Sequence, residues 1–464
     1  MTDRGQRPLV STQGPYNRSM IYQLPHEDPR LQRRYLQLVQ EHLSPVQATA
    51  AGLRALPGTA EAFASTQAAW RFYANDRITR PQLAQPLIEA ARDGVRHDCL
   101  DYALVVHDWS QLHFNAHHSK EDRTELGNSN DLGYELLTAL VLSDRDGAPI
   151  APVSQQLRGA DGVLSSRSAR KQPAPSQLDA LAPTMRFVRR LDLGKPTVHI
   201  IDREADSVIH YRRWAEHRRL FLVRADAERI VRHEGQERKL CEVVASLHQR
   251  GSFSHSRTVL YHGHTAEQYV AETEVILERP GVPNRRGGGP RRPVHGPALT
   301  LRLVVSEVRD GDGQLLATWL LLTNVPASVP ASEVALWYYW RWRVESYFKL
   351  LKSAGLHLER WQQETAGAVA KRSLVASMAC VVVWRVARSQ APEASDVRRL
   401  LVRLSGRQMK WRVEFTEPAL LAGLWVLLSV IRVLEHYDLN DLIRMARLIL
   451  PHHHPAEIPL KSAV

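Results

Sequence analysis

Two almost wholly apolar stretches, each followed directly by an aspartate, constrain the fold of this chain most strongly. The stretch ALVVH ends at Asp108, and the stretch TVHII ends at Asp202. Short apolar runs of this kind are typical of buried strands, and the carboxyl ends of such strands are where open α/β sheets place their sites. One such acid is usually a cap or turn residue. Two of them favour a site for a hard divalent cation, which prefers oxygen ligands.

Length and net charge limit the classes of protein to which this chain can belong. With 464 residues the chain is too long for one ordinary core and suggests roughly three domains. The net charge of +12 favours a polyanionic partner such as nucleic acid or an anionic membrane. Only nine of the 61 basic residues are lysine, so a codon bias toward arginine is an alternative explanation for part of this positive charge. The three cysteines lack ligand spacing and fit a reducing cytoplasm.

The spacing of apolar residues changes along the chain and predicts a mixed α/β protein. Residues 30–98 have helical spacing, whereas short aliphatic runs from residue 104 predict three consecutive strands, with two more after a polar linker. Alternating residues between 227 and 313 predict an antiparallel β unit with a basic loop rich in glycine and proline. From about residue 332 the pattern is helical. The longest apolar runs fall short of the roughly 20 residues that span a bilayer and are expected to be buried helices.

A third acid lies in a predicted helix with an unusual charged face. On a continuous helix, Tyr338, Arg341, Glu345 and Lys352 fall within an arc of roughly 60°, and Lys349 lies just beyond it. Ion pairs on an exposed helix are a common alternative, at about 0.2–0.5 kcal/mol per pair. That alternative does not account for the tryptophans among these charges. The face therefore favours a third acidic ligand at the same site.

These residues resemble a known family. The three acids, the pattern Tyr-x-x-Arg-x-x-x-Glu-x-x-x-x-x-x-Lys and the string DREAD from residue 202 resemble the bacterial DDE transposases of the insertion-sequence-four group, above all those of the transposon-five type. The stretches AWRF at 69–72, FLVR at 221–224 and WLLLT at 319–323 add to the likeness, which covers most of residues 45–365. One departure is Trp109 after the first acid, where small hydroxyl residues are usual.

The resemblance implies an α/β fold with an RNase H-like core, interrupted by an antiparallel β insertion, with helical N-terminal and C-terminal domains. The expected domains are a helical one that binds transposon ends (1–99), the first part of the catalytic core (100–226), a β-rich insertion with the basic loop (227–313), the last core strand and helix (314–356), and a helical C-terminal domain that dimerises (357–464).

The resemblance also implies a mechanism, namely cut-and-paste transposition at inverted-repeat ends. Two Mg²⁺ or Mn²⁺ ions about 4 Å apart, held by Asp108, Asp202 and Glu345, would support 3′ strand cleavage, hairpin formation and resolution, and strand transfer. The expected partners are end DNA, target DNA and a second copy of the chain in a synaptic complex, with no membrane. The expected location is the bacterial cytoplasm, in association with the nucleoid.

Further residues are expected to touch DNA. Arg341, Lys349 and Lys352 would hold phosphates, and Tyr338 would orient a terminal phosphate. Trp342 and Trp319 would stack on or displace a flipped base, although Trp319 is equally suited to a core and Trp342 less so. Arg71 and Arg224 are expected to make further contacts with DNA. The arginines of the basic loop are also expected to contact DNA, although they suit a solvated loop just as well; they are Arg285, Arg286, Arg291 and Arg292. Two other functions stay open: a DNA-binding protein that does not cut, and an RNase H-like nuclease without strand transfer.

Overall fold

The computed structural model describes residues 21–43, 59–173, 176–282, 292–410 and 413–449. The sequence predictions for Arg285, Arg286 and Arg291 lie outside these residues. Within them the chain is a mixed α/β protein, as the sequence predicted, and its helices pack against one large sheet.

Three helices precede the sheet, and they pack on one long helix from the second half of the chain. Thr79 caps the third of them, and the Gln82 side chain accepts a hydrogen bond from the Thr79 N–H in return. The first helix begins with a proline and the third has one at its second position, where the fixed φ of proline suits the start of a helix. The three helices are α1 (Pro29–His42), α2 (Thr59–Ala74) and α3 (Arg80–Asp98).

The first seven strands form the half of the sheet that holds the two aspartates. They are β1 (Ala103–His113), β2 (Thr124–Glu125), β3 (Leu132–Ser143), β4 (Pro149–Gly159), β5 (Gly162–Ser165), β6 (Thr197–Ile201) and β7 (Leu220–Arg224). Their spatial order is β5-β4-β3-β1-β6-β7, and β2 pairs with the start of β3. β1 is antiparallel to β3 but parallel to β6, and β6 is parallel to β7. Parallel neighbours need crossover connections, and the helices α4 (Gln177–Leu191) and α5 (Val208–Glu216) lie in them.

The segment that the sequence predicted as an antiparallel β unit differs from that expectation in two ways. It contains a helix, α6 (Leu240–Gln249), and its strands extend the core sheet, because β13 pairs with β7 as well as with β12. The strands of this half are β8 (Ile230–His233), β9 (Gln236–Lys239), β10 (Ser254–Tyr261), β11 (His264–Leu277), β12 (Leu299–Arg309) and β13 (Leu315–Thr323). Local alternation of residues carries no information about such a long-range pairing.

The remaining elements are helical, as predicted, but the predicted helix around Glu345 is broken. It consists of α7 (Ala331–Trp340) and α8 (Arg343–Leu351), because the chain makes a tight turn at Arg341 and Trp342, where the Arg341 N–H donates to the Tyr338 carbonyl oxygen. Lys352 lies just past the end of α8. The assumption of one continuous helix was therefore wrong. The chain goes on with α9 (Ala366–Arg388), α10 (Ala394–Leu404), α11 (Glu417–Leu434) and α12 (Leu439–Ile449).

Two of the described helices, α9 and α11, are long and apolar enough to cross a membrane by length and composition alone. α9 is the helix on which α1, α2 and α3 pack, and 89% of its apolar window is buried, as the sequence predicted. Only 22% of the α11 window is buried, so the expectation of a second buried helix was wrong. Instead, α11 exposes a row of aliphatic side chains, which are Val426, Val430, Ile431 and Leu434.

Candidate active site

Strands β1 and β6 bring Asp108 and Asp202 side by side. His107 is paired with Ile201 in the parallel ladder, so the two aspartates, one residue further along, lie at the same level of neighbouring strands. Each aspartate side chain accepts a hydrogen bond from the backbone N–H of the residue that follows it, at 2.8 Å and 2.7 Å respectively. The sheet and these two bonds hold the two carboxylates side by side, with Asp108 inside β1 and Asp202 directly after β6.

The guanidinium of Arg341 lies between these aspartates and Glu345. Its Nη1 is 3.0 Å from Asp108 Oδ2, and its Nη2 is 3.1 Å from Asp202 Oδ2 and 3.6 Å from Glu345 Oε1. Arg341 is only 5% exposed, because it occupies the turn between α7 and α8 that faces the sheet. Three carboxylates that are far apart in the sequence therefore converge on one buried cation.

The three carboxyl groups differ in acidity. Burial raises the pKa of Asp108, the charge of Asp202 adds to this, and Arg341 opposes it. Burial also raises the pKa of Glu345, and both aspartates add to the effect while Arg341 opposes it. Burial acts in the same direction on Asp202, but Arg341 and the hydrogen bonds that Asp202 accepts, one of them from Tyr338, outweigh it and lower its pKa. One acid is thus held in its charged form while its two neighbours take up a proton more readily.

A cleft of about 370 Å³ opens over the three carboxylates. Lys349 lines it from α8, and Lys352 lines it from just beyond that helix. Lys352 Nζ donates to the Gln111 carbonyl oxygen at 2.7 Å and forms an ion pair with Glu359 Oε1 at 3.0 Å, which holds it against β1. The complete lining is Asp108, Trp109, Ser110, Asp202, Arg341, Glu345, Phe348, Lys349, Lys352 and Ser353. The cleft therefore offers both carboxylates and ammonium groups to whatever enters it.

Two residues predicted to touch DNA are bound to the acids in this structure. The Tyr338 hydroxyl donates to Asp202 Oδ1 at 3.0 Å, and this tyrosine is 2% exposed. Arg224 Nη1 lies 3.8 Å from the same oxygen. Contact of Tyr338, Arg224 or Arg341 with a phosphate would require these bonds to be exchanged. Their roles toward DNA stay predictions.

The two tryptophans predicted to contact a base occupy different environments. Trp342 is 46% exposed, and the Arg341 guanidinium lies 5.4 Å from its ring centre. Trp319 is 6% exposed and packs edge to face on Tyr261 and at a tilt on Tyr338. Trp342 is open to a ligand, whereas Trp319 lies in the core, which is the second of the two interpretations that the sequence allowed.

The outlying arginines are on the surface. Arg71 is exposed near the end of α2, donates to the Gln67 side chain at 3.3 Å, and lines a cavity of about 480 Å³ together with Trp70. The neighbouring Phe72 is 2% exposed and belongs to the core. Arg292 is also exposed, and it is the first residue of the described range 292–410.

Glu204 is an acid close in sequence to Asp202 that was not predicted as a site residue. Burial raises its pKa, and the charges of Asp108 and Asp202 add to that shift, but its side chain does not line the cleft. Glu204 stands two residues after Asp202 in a tight helical turn. Asp206 in the same turn is structural, because it accepts hydrogen bonds from the Tyr211 hydroxyl and the Asp226 N–H.

The carboxylates suit a hard divalent cation in kind, but Arg341 occupies the space between them. Among the described residues, no group of three histidine, cysteine or acidic side chains is arranged as it stands to hold a metal ion. The three carboxylates nevertheless supply the oxygen donors that Mg²⁺ prefers, and all three lie within 3.6 Å of a single cationic group. The donor set therefore fits such an ion if the guanidinium moves away.

One segment of the chain matches a known protein family. Residues 163–381 match a family model described as a transposase DDE domain. The match begins in β5 and ends in α9, so it includes Asp202 and Glu345 but not Asp108. This part of the chain is therefore similar to a transposase DDE domain.

One similarity to a solved structure is weak. Among solved structures, the chain is similar to the piggyBac transposase in the cryo-EM structure of its synaptic complex with hairpin DNA, with 12% sequence identity and a TM-score of 0.32. That similarity covers 78% of this chain and 59% of the other, so the chain spans less than two thirds of that transposase. None of the curated proteins matches the sequence.

Proposed function

We propose that this protein is a DDE transposase that carries out metal-dependent cut-and-paste transposition at the inverted-repeat ends of a mobile element. The observation that carries the proposal is the convergence of Asp108, Asp202 and Glu345 within 3.6 Å of one guanidinium, under a cleft that two lysines also line. Transfer at a phosphodiester depends on positioning and on stabilising charge, for which carboxylates with bound cations suffice.

Asp108, Asp202 and Glu345 would hold two Mg²⁺ or Mn²⁺ ions. When bound, these ions would activate the attacking oxygen and stabilise the leaving 3′ oxygen. The role of Arg341 follows from charge: while the acids have no other counter-ion, its guanidinium neutralises part of their charge. Once displaced, it would be free to pair with a phosphate in the same cleft, as a planar guanidinium does well.

The other side chains of the cleft would position the strand. Lys349 and Lys352 would hold phosphates on either side of the cut, and Tyr338 would orient a terminal phosphate after it leaves Asp202. Trp342, which is exposed beside Arg341, would stack on a base turned out of the duplex while the freed 3′ hydroxyl attacks the opposite strand to close a hairpin.

We further propose an RNase H-like core and a place in the insertion-sequence-four group, of the transposon-five type. The strand order β4-β3-β1-β6-β7, with two antiparallel pairs followed by two parallel ones, supports such a core. The insertion would then be residues 227–313, between core segments 100–226 and 314–356.

The terminal regions would bind DNA and a second copy of the chain. Arg71 and the cavity beside it on α2 support contact of residues 1–99 with end DNA. The exposed aliphatic row of α11 supports a dimer through residues 357–464, because a solvated row of this kind is a favourable surface to bury. Such a dimer would act in a bacterial cytoplasm, next to the nucleoid.

The decisive experiment compares Asp202→Asn with Asp161→Asn on DNA that carries the repeats flanking the gene. Asp161 is a matched control, because its side chain is 62% exposed and pairs only with Lys171 on the surface. Asp202→Asn is expected to abolish Mg²⁺-dependent cleavage and to leave end binding intact, whereas the control cleaves normally. Cleavage that survives Asp202→Asn would show that the acids are assigned wrongly.

The products of the same assay separate the remaining functions. A hairpin-ended excision product that joins to target DNA supports transposition. Unspecific degradation of the DNA by the unmodified protein indicates a nuclease without strand transfer. Binding of the ends without any cleavage indicates a DNA-binding protein that does not cut.

A further inference from the structure

A group of arginines lies around α4, on the opposite face of the sheet from α8, because the neighbouring residues Gln156 and Gln155 of β4 contact α4 and α8 respectively. Three of them, Arg186, Arg189 and Arg190, are exposed on the last turns of α4 at positions i, i+3 and i+4, which form one face of a helix. Side chains at this spacing are about 5–6 Å apart at their Cβ atoms. They therefore form a compact row of positive charge.

Two further arginines lie against this row and are largely buried. Arg219, directly before β7, is 8% exposed, and Arg167 follows β5, which pairs with β4. The Gln156 side chain donates to the Thr184 hydroxyl at 3.0 Å and fixes α4 over β4 next to the end of β5. We call these five residues the arginine cluster: Arg167, Arg186, Arg189, Arg190 and Arg219.

Within the described part of the chain, no carboxylate forms an ion pair with any member of the arginine cluster, in contrast to pairs such as Arg302 with Glu272 at 2.5 Å. Burial lowers the pKa of Arg167 to about 10, and the charges of Arg186 and Arg190 add to this. Burial also lowers the pKa of Arg219, with Arg189 and Arg186 adding to it. The five cations therefore repel one another without an internal counter-ion.

Interaction with the helix dipole accounts for only part of the arrangement. Arg189 and Arg190 lie in the last turn of α4, where a cation gains about 0.3–1 kcal/mol from the helix terminus. That gain does not extend to Arg167 and Arg219, which belong to other elements and whose partly desolvated charges stay uncompensated. An external anion would relieve both the repulsion and the desolvation.

The arginine cluster is separate from the candidate active site. Asp202 follows the carboxyl end of β6, whereas α4 enters β6 at its amino end, Thr197. Five strand residues at about 3.3 Å each separate the two ends by roughly 16 Å. A ligand held by the three acids does not reach the arginine cluster unless it is long.

We propose that the arginine cluster binds the backbone phosphates of duplex DNA, at a segment away from the phosphate that is cut. DNA supplies a row of closely spaced negative charges, which a row of exposed arginines on a helix can follow without reading sequence. The proposal rests on the proposed function only in taking DNA as the polyanion, and it needs neither a metal nor the three acids.

The test compares two triple variants of the full chain. In the first, Arg186, Arg189 and Arg190 are all replaced by Gln. In the second, Arg232, Arg250 and Arg279 are replaced by Gln, which gives the same change in net charge but removes exposed arginines already paired with Glu278, Glu234 and Glu237. Binding of a labelled 30-base-pair duplex of scrambled sequence is followed by fluorescence anisotropy in EDTA over a series of NaCl concentrations.

The first variant is expected to bind on the order of tenfold more weakly, with a slope of log K against log salt that is shallower by about 2–3, since each lost phosphate contact contributes about 0.9. The control is expected to match the unmodified protein. Equal affinity and slope in both variants would overturn the proposal. A change in oligomeric state by light scattering, with an unchanged slope, would also overturn the proposal and assign the surface to contact between copies of the chain.

The outcome is independent of the cleavage experiment. Because binding is measured without metal, a shallower salt slope stands even if Asp202→Asn continues to cut DNA. Conversely, an unchanged slope leaves the role of the three acids untouched.

Discussion

Arg341 Nη1 lies 3.0 Å from Asp108 Oδ2, and this contact joins the turn between α7 and α8 to the central strand of the sheet. The same guanidinium reaches Asp202 and Glu345, so one buried cation holds together acids from three separate elements. An arginine in this position has two consequences. It stabilises the acids when they have no other counter-ion, and it competes with any cation that binds them.

Replacement of Arg341 by Gln is expected to lower the free energy of unfolding in EDTA by about 1–3 kcal/mol. Loss of one partner from a buried ion pair costs about 3–5 kcal/mol, and the partial exposure of the carboxylates reduces that cost. Mg²⁺ is expected to raise the melting temperature of Arg341→Gln by more than that of the unmodified protein, because it no longer competes with the guanidinium. Thermal unfolding with and without MgCl₂ measures both effects.

The control for this comparison is Arg232→Gln, which removes a partly exposed partner of Glu278 and should change stability by less than about 1 kcal/mol. An equal Mg²⁺ effect in Arg341→Gln and in the unmodified protein would mean that the cation binds elsewhere.

The shifted pKa values of the three acids determine how stability and metal binding should depend on pH. Burial raises the pKa of Asp108 and of Glu345, so the folded chain holds these protons more tightly than the unfolded chain does. The stability they contribute is present at low pH and is lost as the pH rises through their raised values. Asp202 acts in the opposite sense: against the effect of burial, Arg341 lowers its pKa, so its contribution is present above its ordinary pKa of 3.8 and is lost as the pH falls.

Metal ligation requires the charged carboxylates, so Mn²⁺ binding should weaken on acidification at pH values still above the ordinary glutamate pKa of 4.5. Electron paramagnetic resonance of free Mn²⁺ over a pH series measures the midpoint. Glu345→Gln should weaken binding and remove the part of the pH dependence that belongs to that group. A midpoint at or below 4.5 would contradict the raised values.

The sequence predicted the elements that hold the acids because each of them is a local pattern. An apolar run followed by an acid predicts a buried strand from the local sequence alone, and both predicted strands form. The predicted end of the first strand was wrong, because β1 continues past Asp108 to His113. Glu345 was found from its spacing to neighbouring charges. The family likeness then supplied the expectation that all three converge, which local patterns alone do not give.

What the sequence did not predict depends on contacts between distant residues. The turn at Arg341 interrupts a stretch whose composition is helical throughout, and it forms where the guanidinium can reach two acids on the sheet. The pairing of β13 with β7 likewise joins segments about a hundred residues apart. Neither leaves a periodic signal in the sequence.

The packing of α10 on α11 gives a prediction about stability. A Cβ at Gly423 would lie 2.0 Å from the Leu401 carbonyl oxygen, so the two helices approach too closely for any side chain. Gly423→Ala is expected to lower the free energy of unfolding by about 1–3 kcal/mol, as overpacking does. Chemical denaturation followed by circular dichroism measures this change.

Gly367→Ala is the matched control, since a Cβ there would come no closer than 3.7 Å to its neighbours at the start of α9. It should be neutral or stabilise the protein by about 0.4–1 kcal/mol, because it restricts the unfolded chain. Equal effects of the two substitutions would show that α10 and α11 do not pack as described.

Replacing either of the two tryptophans near the acids by alanine is expected to affect a different property of the protein. Trp342 is 46% exposed, so Trp342→Ala should leave the free energy of unfolding within about 0.5 kcal/mol of its original value. If Trp342 stacks on a flipped base, its loss should reduce the rate of hairpin formation about tenfold and spare the first cut, since stacking contributes about 1–3 kcal/mol per base.

Trp319→Ala should instead destabilise the protein by about 3–5 kcal/mol, because Trp319 is 6% exposed and fills the core against Tyr338. Gel analysis of nicked and hairpin products, with thermal unfolding of the same samples, separates these effects, and a uniform slowing of both strand reactions in Trp342→Ala would rule out base stacking as its role.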